Sequence, residues 1–98
     1  MFQRKRFLIC HPMIYGFVGS TMVACELASY LKSEGAHVDF YTHYQALPAS
    51  QLLSDIDVSI IDDPMDSRLE LKNYDYIWVH SQVLPERIIR GLAEKKRP

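Results

Sequence analysis

Four short apolar runs alternate along the chain with stretches of helical or turn-like spacing. Residues 6–11 (RFLICH) read as a buried strand closed by Pro12, and a loop over 12–19 follows. From Met22 the apolar positions Val23, Ala24, Leu27, Ala28 and Leu31 fall on one face of a helix. Ser20 or Thr21 is the expected N-cap, because a hydroxyl there accepts a bond from an orphan backbone N–H. Gly35 sits where a left-handed C-terminal cap belongs. Residues 37–42 (HVDFYT) alternate like a strand, and 48–56 predict a short helix. A third strand is read over 58–62 (VSIID), ended by Asp63-Pro64, and a fourth over 75–80 (DYIWVH). A last helix is expected over 84–95, with Ile88, Ile89 and Leu92 on one side. There are no internal repeats and no low-complexity segments.

Strands that alternate with helices or long crossovers argue for an α/β fold. The expected architecture is a Rossmann-like parallel sheet of about four strands in order 3-2-1-4, with helices on both faces. Right-handed crossovers select that order. Its first and fourth strands are neighbours, and the winding reverses between them. Ligands in such sheets bind outside the carboxyl ends of the strands at that switch point. The Gly16–Gly19 loop leaves the first strand there, and His80-Ser81 leaves the fourth. Two separate stretches thus converge on one crevice. A fourth strand left at the edge is an exposed pairing template. The final EKKRP reads as a helix end approaching another strand. The expectation is therefore a partial domain, with residues 1–98 forming the first part of something longer.

Composition narrows the function classes. The 98 residues suffice for one small domain, and 48% apolar with 23% charged is ordinary for a globular chain. A net charge of −1 gives no field that would demand nucleic acid. No apolar run approaches the roughly 20 residues that cross a bilayer, and the apolar run near the N-terminus is too short for a signal peptide. Cys10 and Cys25 lie in a strand-like and a helical run, and two cysteines make no secreted disulfide framework. These readings place the chain in the cytoplasm.

The loop after the first strand lacks two familiar patterns. A P-loop needs a lysine after its second glycine, whereas Gly19 is followed by Ser20 and Thr21, and the glycine spacing is wrong. The dinucleotide fingerprint fails at Met22, where a third glycine belongs. What remains is a glycine loop opening onto a helix N-terminus, whose free N–H groups suit an anion or hydroxyl. The plainer alternative is that Gly16 and Gly19 only permit the turn. His80 lines the crevice as a donor or proton carrier, or else is a satisfied structural residue. His11 ends the first strand and faces the same way, but Pro12 follows, and shaping the turn is an alternative reading of it. Ser20 and Thr21 read as caps rather than nucleophiles. The acidic stretch Asp62-Asp63-Pro64-Met65-Asp66 reads as a solvated turn rather than a metal site. Phe40, Tyr41, Tyr44, Tyr74 and Tyr76 could stack on sugars, though sheet packing accounts for most of them. Arg87, Arg90, Lys95, Lys96 and Arg97 form the outer face of the last helix, with a weak attraction to anionic lipid.

In this order the residues resemble the N-terminal domain of GT-B glycosyltransferases, in particular the family 4-like group. The carriers are the glycine loop and the run MVACELASYLKSEGAHVDFYT, similar to the family's ELAxxLxxxGHxVxxxT. Glu26, Leu27, Ala28, Leu31, Gly35, Val38 and Thr42 keep that pattern. YDYIWVHSQV, at 74–83, resembles the family's YDVVHxHxxx strand, and His80 matches its cleft-lining histidine. Two departures stand out. Gly-Ala-His-Val replaces the usual Gly-His-Glu-Val, and Gly16 and Gly19 are separated where the family has an adjacent pair. The resemblance implies transfer of a sugar from a nucleotide-sugar donor to a sugar or lipid acceptor, with no metal and no cofactor. It implies that residues 1–98 supply the acceptor side, with His80 catalytic and Gly16, Gly19, Ser20 and Ser81 binding substrate. Most nucleotide contacts would belong to a second, C-terminal Rossmann domain, so the chain alone is expected to be inactive.

Two rivals belong to other classes. A stand-alone phosphocarrier or small-molecule-binding α/β module fits the length, with Cys10 near the place of a phosphorylated cysteine. A nucleotide-binding fold of the NAD type is disfavoured by Met22.

Overall fold

The computed structural model describes residues 3–14, 16 and 19–80. Strand β1 (Arg6–Cys10) is followed by a two-residue strand β2 (Met13–Ile14) and helix α1 (Gly19–Ser33). Then come β3 (His37–Tyr41), the short β4 (Tyr44–Gln45), α2 (Ala49–Asp55), β5 (Ser59–Ile61) and β6 (Tyr76–Val79). One turn of 3₁₀ helix, Leu71–Asn73, lies in the last crossover.

Four strands form a parallel sheet in the order β5-β3-β1-β6. Taken in chain order, these four lie third, second, first, fourth. The numbering differs because β2 and β4, which the apolar pattern did not show, pair with each other in a separate parallel ladder. The fold class is therefore the Rossmann-like parallel α/β architecture.

Alternation along β1 sorts its side chains onto two faces. Phe7 and Ile9 join Val38 and Phe40 under Ala24, Cys25, Ala28 and Leu31 of α1 and Ala49 and Leu53 of α2. Leu8 and Cys10 join Tyr41, Ile61, Leu69 and Tyr74 on the opposite face. Both described helices thus cover one face, and the crossover between β5 and β6 covers the other. The helix expected over 84–95 lies outside the described residues.

Several local expectations change. Helix α1 begins at Gly19, so Ser20 and Thr21 lie in its first turn rather than capping a helix from Met22. Val23 is 55% exposed, and Cys25 takes its place on the buried stripe. The stripe is rotated, and α1 meets the sheet through Ala24, Cys25, Ala28 and Leu31. Strand β3 does not alternate: Val38 through Tyr41 are all buried, because β3 lies between β1 and β5 with both faces covered. Gly35 ends α1 as expected, at φ 85°, and a Cβ there would stand 2.9 Å from Gln3 Cγ.

Candidate functional site

The candidate crevice, at the carboxyl ends of β1 and β6, is set by register. Cys10 pairs with Val79 at the end of the β1–β6 ladder, and the His80 N–H donates to the Cys10 carbonyl at 2.9 Å. On the other side the His11 N–H donates to the Tyr41 carbonyl at 3.0 Å. His11 and His80 are therefore the residues next in line on two adjacent parallel strands. Alternation carries both to the α1 face, in line with Phe7 and Ile9 on β1 and with Tyr76 and Trp78 on β6. Cross-strand neighbours on one face are in reach of each other. The result is a ladder of rings. Phe7 stacks on Tyr76 at 4.9 Å, and His11 stacks on His80 at 4.8 Å with the planes only 7° apart. Trp78 lies beneath His80, at 6.1 Å and 18°.

Helix α1 closes the same end. His11 Nε2 and Ser20 Oγ are 2.8 Å apart, joining the end of β1 to the first turn of the helix. Thr21 Oγ1 lies 3.5 Å from the Met13 carbonyl, a longer contact to β2. Neither hydroxyl caps the helix as the sequence suggested; both tie it to the strand end and the loop.

His11 is 4% exposed, and His80 is partly exposed. Burial pushes the His11 imidazole below the ordinary histidine range. The Met13 backbone opposes that shift, and a charge on His80 reinforces it. His11 Nδ1 is buried and forms no hydrogen bond. The pair thus consists of a buried imidazole that resists protonation and an accessible one stacked flat on it.

Gly19 adopts φ 53°, the left-handed conformation that favours glycine, so the turn into α1 uses its freedom. Gly16 has no such requirement, and a Cβ at either glycine would meet no atom within 4 Å. Of the expected site residues, His80, Gly19 and Ser20 are brought to the crevice end. Gly16 lies in the loop between β2 and α1, and Ser81 lies outside the described residues. His11 is the residue at this end of the sheet that the sequence reading undervalued. Its signal was present: two parallel neighbouring strands are each followed by a histidine.

The other singled-out residues sort clearly. Phe40, Tyr41 and Tyr74 are core, while Tyr44 and Tyr76 are about half exposed. Cys10 and Cys25 are free and buried, and burial pushes the Cys10 thiol up to about 12. A thiol held protonated is a poor nucleophile, which counts against a phosphorylated Cys10. In the acidic stretch Asp63 accepts from the Met65 N–H at 2.9 Å, and Asp66 from the Arg68 N–H at 2.9 Å. These are local turn bonds. Among the described residues no three His, Cys, Asp or Glu converge as metal ligands. Among them also no helix is long and apolar enough to cross a membrane.

No protein-family model, curated protein or solved structure matches this chain.

Proposed function

We propose that the crevice at the carboxyl ends of β1 and β6 is the acceptor side of a sugar-transfer site, with a nucleotide sugar as donor. The observation that carries this reading is the placement of His80. It stands at the switch point of a parallel sheet, partly exposed and stacked on a buried partner that itself bonds the first turn of α1. An imidazole there can accept or donate a proton at an attacking hydroxyl. The N-terminal turn of α1 supplies N–H donors for hydroxyl or phosphate oxygens. In this reading His80 acts on the reacting hydroxyl, and Gly19 and Ser20 hold the acceptor. The nucleotide contacts come from a second Rossmann domain in a longer chain, acting at the cytoplasmic side of a membrane when the acceptor is a lipid.

The test has two steps. Amide shifts of the ¹⁵N-labelled chain are followed with UDP-glucose, GDP-mannose and simple sugars. Shifts gathered at Gly19, Ser20 and His80 are expected; shifts elsewhere, or none, would overturn the reading. In a chain carrying both Rossmann domains, His80→Ala should lower the transfer rate by roughly 10²-fold or more with the fold intact.

A further inference from the structure

We propose that His11 is a positioning residue for the crevice: by ring stacking it fixes His80, and through Nε2 it fixes Ser20, so that β6 and α1 present one rigid surface. The sugar-transfer reading enters only in saying what that surface serves.

The argument rests on three elements that meet at one side chain. His11 belongs to the end of β1, held by the Tyr41 carbonyl. His80 belongs to the end of β6, and Ser20 to α1. The His80 side chain and Ser20 both meet His11, the one through its ring face and the other through Nε2. A partly exposed ring on a strand end would ordinarily sample several rotamers. A flat partner at 4.8 Å on one side removes much of that freedom, and the Trp78 ring at 6.1 Å extends the same stack. Preorganisation of this kind lowers the cost of ordering a site when ligand arrives.

A positioning group should also keep one protonation state. Around His11 stand His80 from β6, Ser20 from α1, the Met13 backbone from β2 and the Tyr41 carbonyl from β3. Of these only His80 carries a side chain here whose charge acts on the ring, and it acts to disfavour a second proton. With His11 neutral, a hydrogen on the buried, unpartnered Nδ1 would be orphaned, so one tautomer is favoured, with the hydrogen on Nε2 donated to Ser20 Oγ.

The test uses histidine ring ¹⁵N spectra of the chain itself, with no ligand. In the wild type His11 should show one fixed neutral tautomer and ring-to-ring contacts with His80. In His80→Phe, which keeps a ring to stack on but removes the charge, His11 should take up its proton at higher pH. In Ser20→Ala the His11 Nε2 resonance should move while the sheet amides stay put. His11→Phe, a buried ring for a buried ring, should keep the His80 contact and release Ser20. An unchanged His11 titration in His80→Phe would overturn the proposal, as would tautomer averaging in the wild type. Because none of these readouts uses a sugar, they fail or succeed separately from the transfer reading.

Discussion

The two faces of the sheet are closed in different ways. The α1–α2 face is closed by apolar helix stripes, from Ala24 and Leu31 to Leu53, with no buried charge in the cluster. The opposite face is closed by an irregular crossover, and its centre holds a carboxylate. Asp39 is buried on β3, accepts from Tyr74 OH at 2.7 Å and lies 3.2 Å from His37 Nε2. The Arg6 guanidinium stands 5.8 Å over the Tyr74 ring. The apolar cluster of the first face depends on volume. The second depends on keeping one polar bond dry and made. A crossover with no more than one 3₁₀ turn lacks an apolar helical stripe, and a specific buried bond can fix its path instead.

Substitutions can break this contrast in order of size. Leu53→Ala, on the helical face, should cost about 2–5 kcal/mol in urea unfolding, since Leu53 is fully buried. Tyr74→Phe, on the other face, should cost about 1–3 kcal/mol by leaving Asp39 short of its donor. Equal losses from both, or a neutral Tyr74→Phe, would erase the distinction. Burial and Asp39 also push the Tyr74 hydroxyl above its ordinary range. A raised folded value means the folded state holds its proton more tightly, so this contribution is present below pH ~10 and lost as pH rises past it.

The crevice end should answer to acid instead. The folded His11 resists protonation relative to the unfolded chain. The unfolded state therefore binds more protons below pH ~6.5, and stability should fall as pH drops through that range. Chemical denaturation at pH 7.5 and pH 5.5 reads the loss, and His11→Phe should shrink it. The smallest effect belongs to the partly exposed Asp66–Arg68 pair at 2.8 Å. Arg68 holds the Asp66 carboxyl down to about 2, yet the pair is open to solvent. Asp66→Asn should cost under about 1 kcal/mol at neutral pH, less still in high salt.

The architecture was legible because each long strand is an apolar run and Gly35 marks the end of α1. Those signals are local. What escaped depends on neighbours distant in sequence. Val23 fits the helical stripe by spacing, and only the packing of α1 on the sheet turns it outward. Asp39 reads as the polar side of an alternating strand until Tyr74, thirty-five residues on, covers it. The two-residue strands β2 and β4 are too short to leave any periodicity. At the crevice His80 was legible from its strand end, but its stack on His11 required the register between β1 and β6.

The small β2–β4 ladder has a mechanical consequence. It joins the loop leaving β1 to the loop leaving β3, Met13 opposite Tyr44 and Ile14 opposite Gln45. The Ala46 N–H adds a bond to the Ile14 carbonyl, and Gln45 reaches Asp62 beyond the end of β5. Three strand ends are thereby strung on one tie-bar along the rim. A pull on the segment before α1 is a pull on Tyr44 and, through Gln45, on the far edge of the sheet. Cutting the bar at Gln45, rather than changing anything at the histidines, is the way to let one rim loop travel without the others.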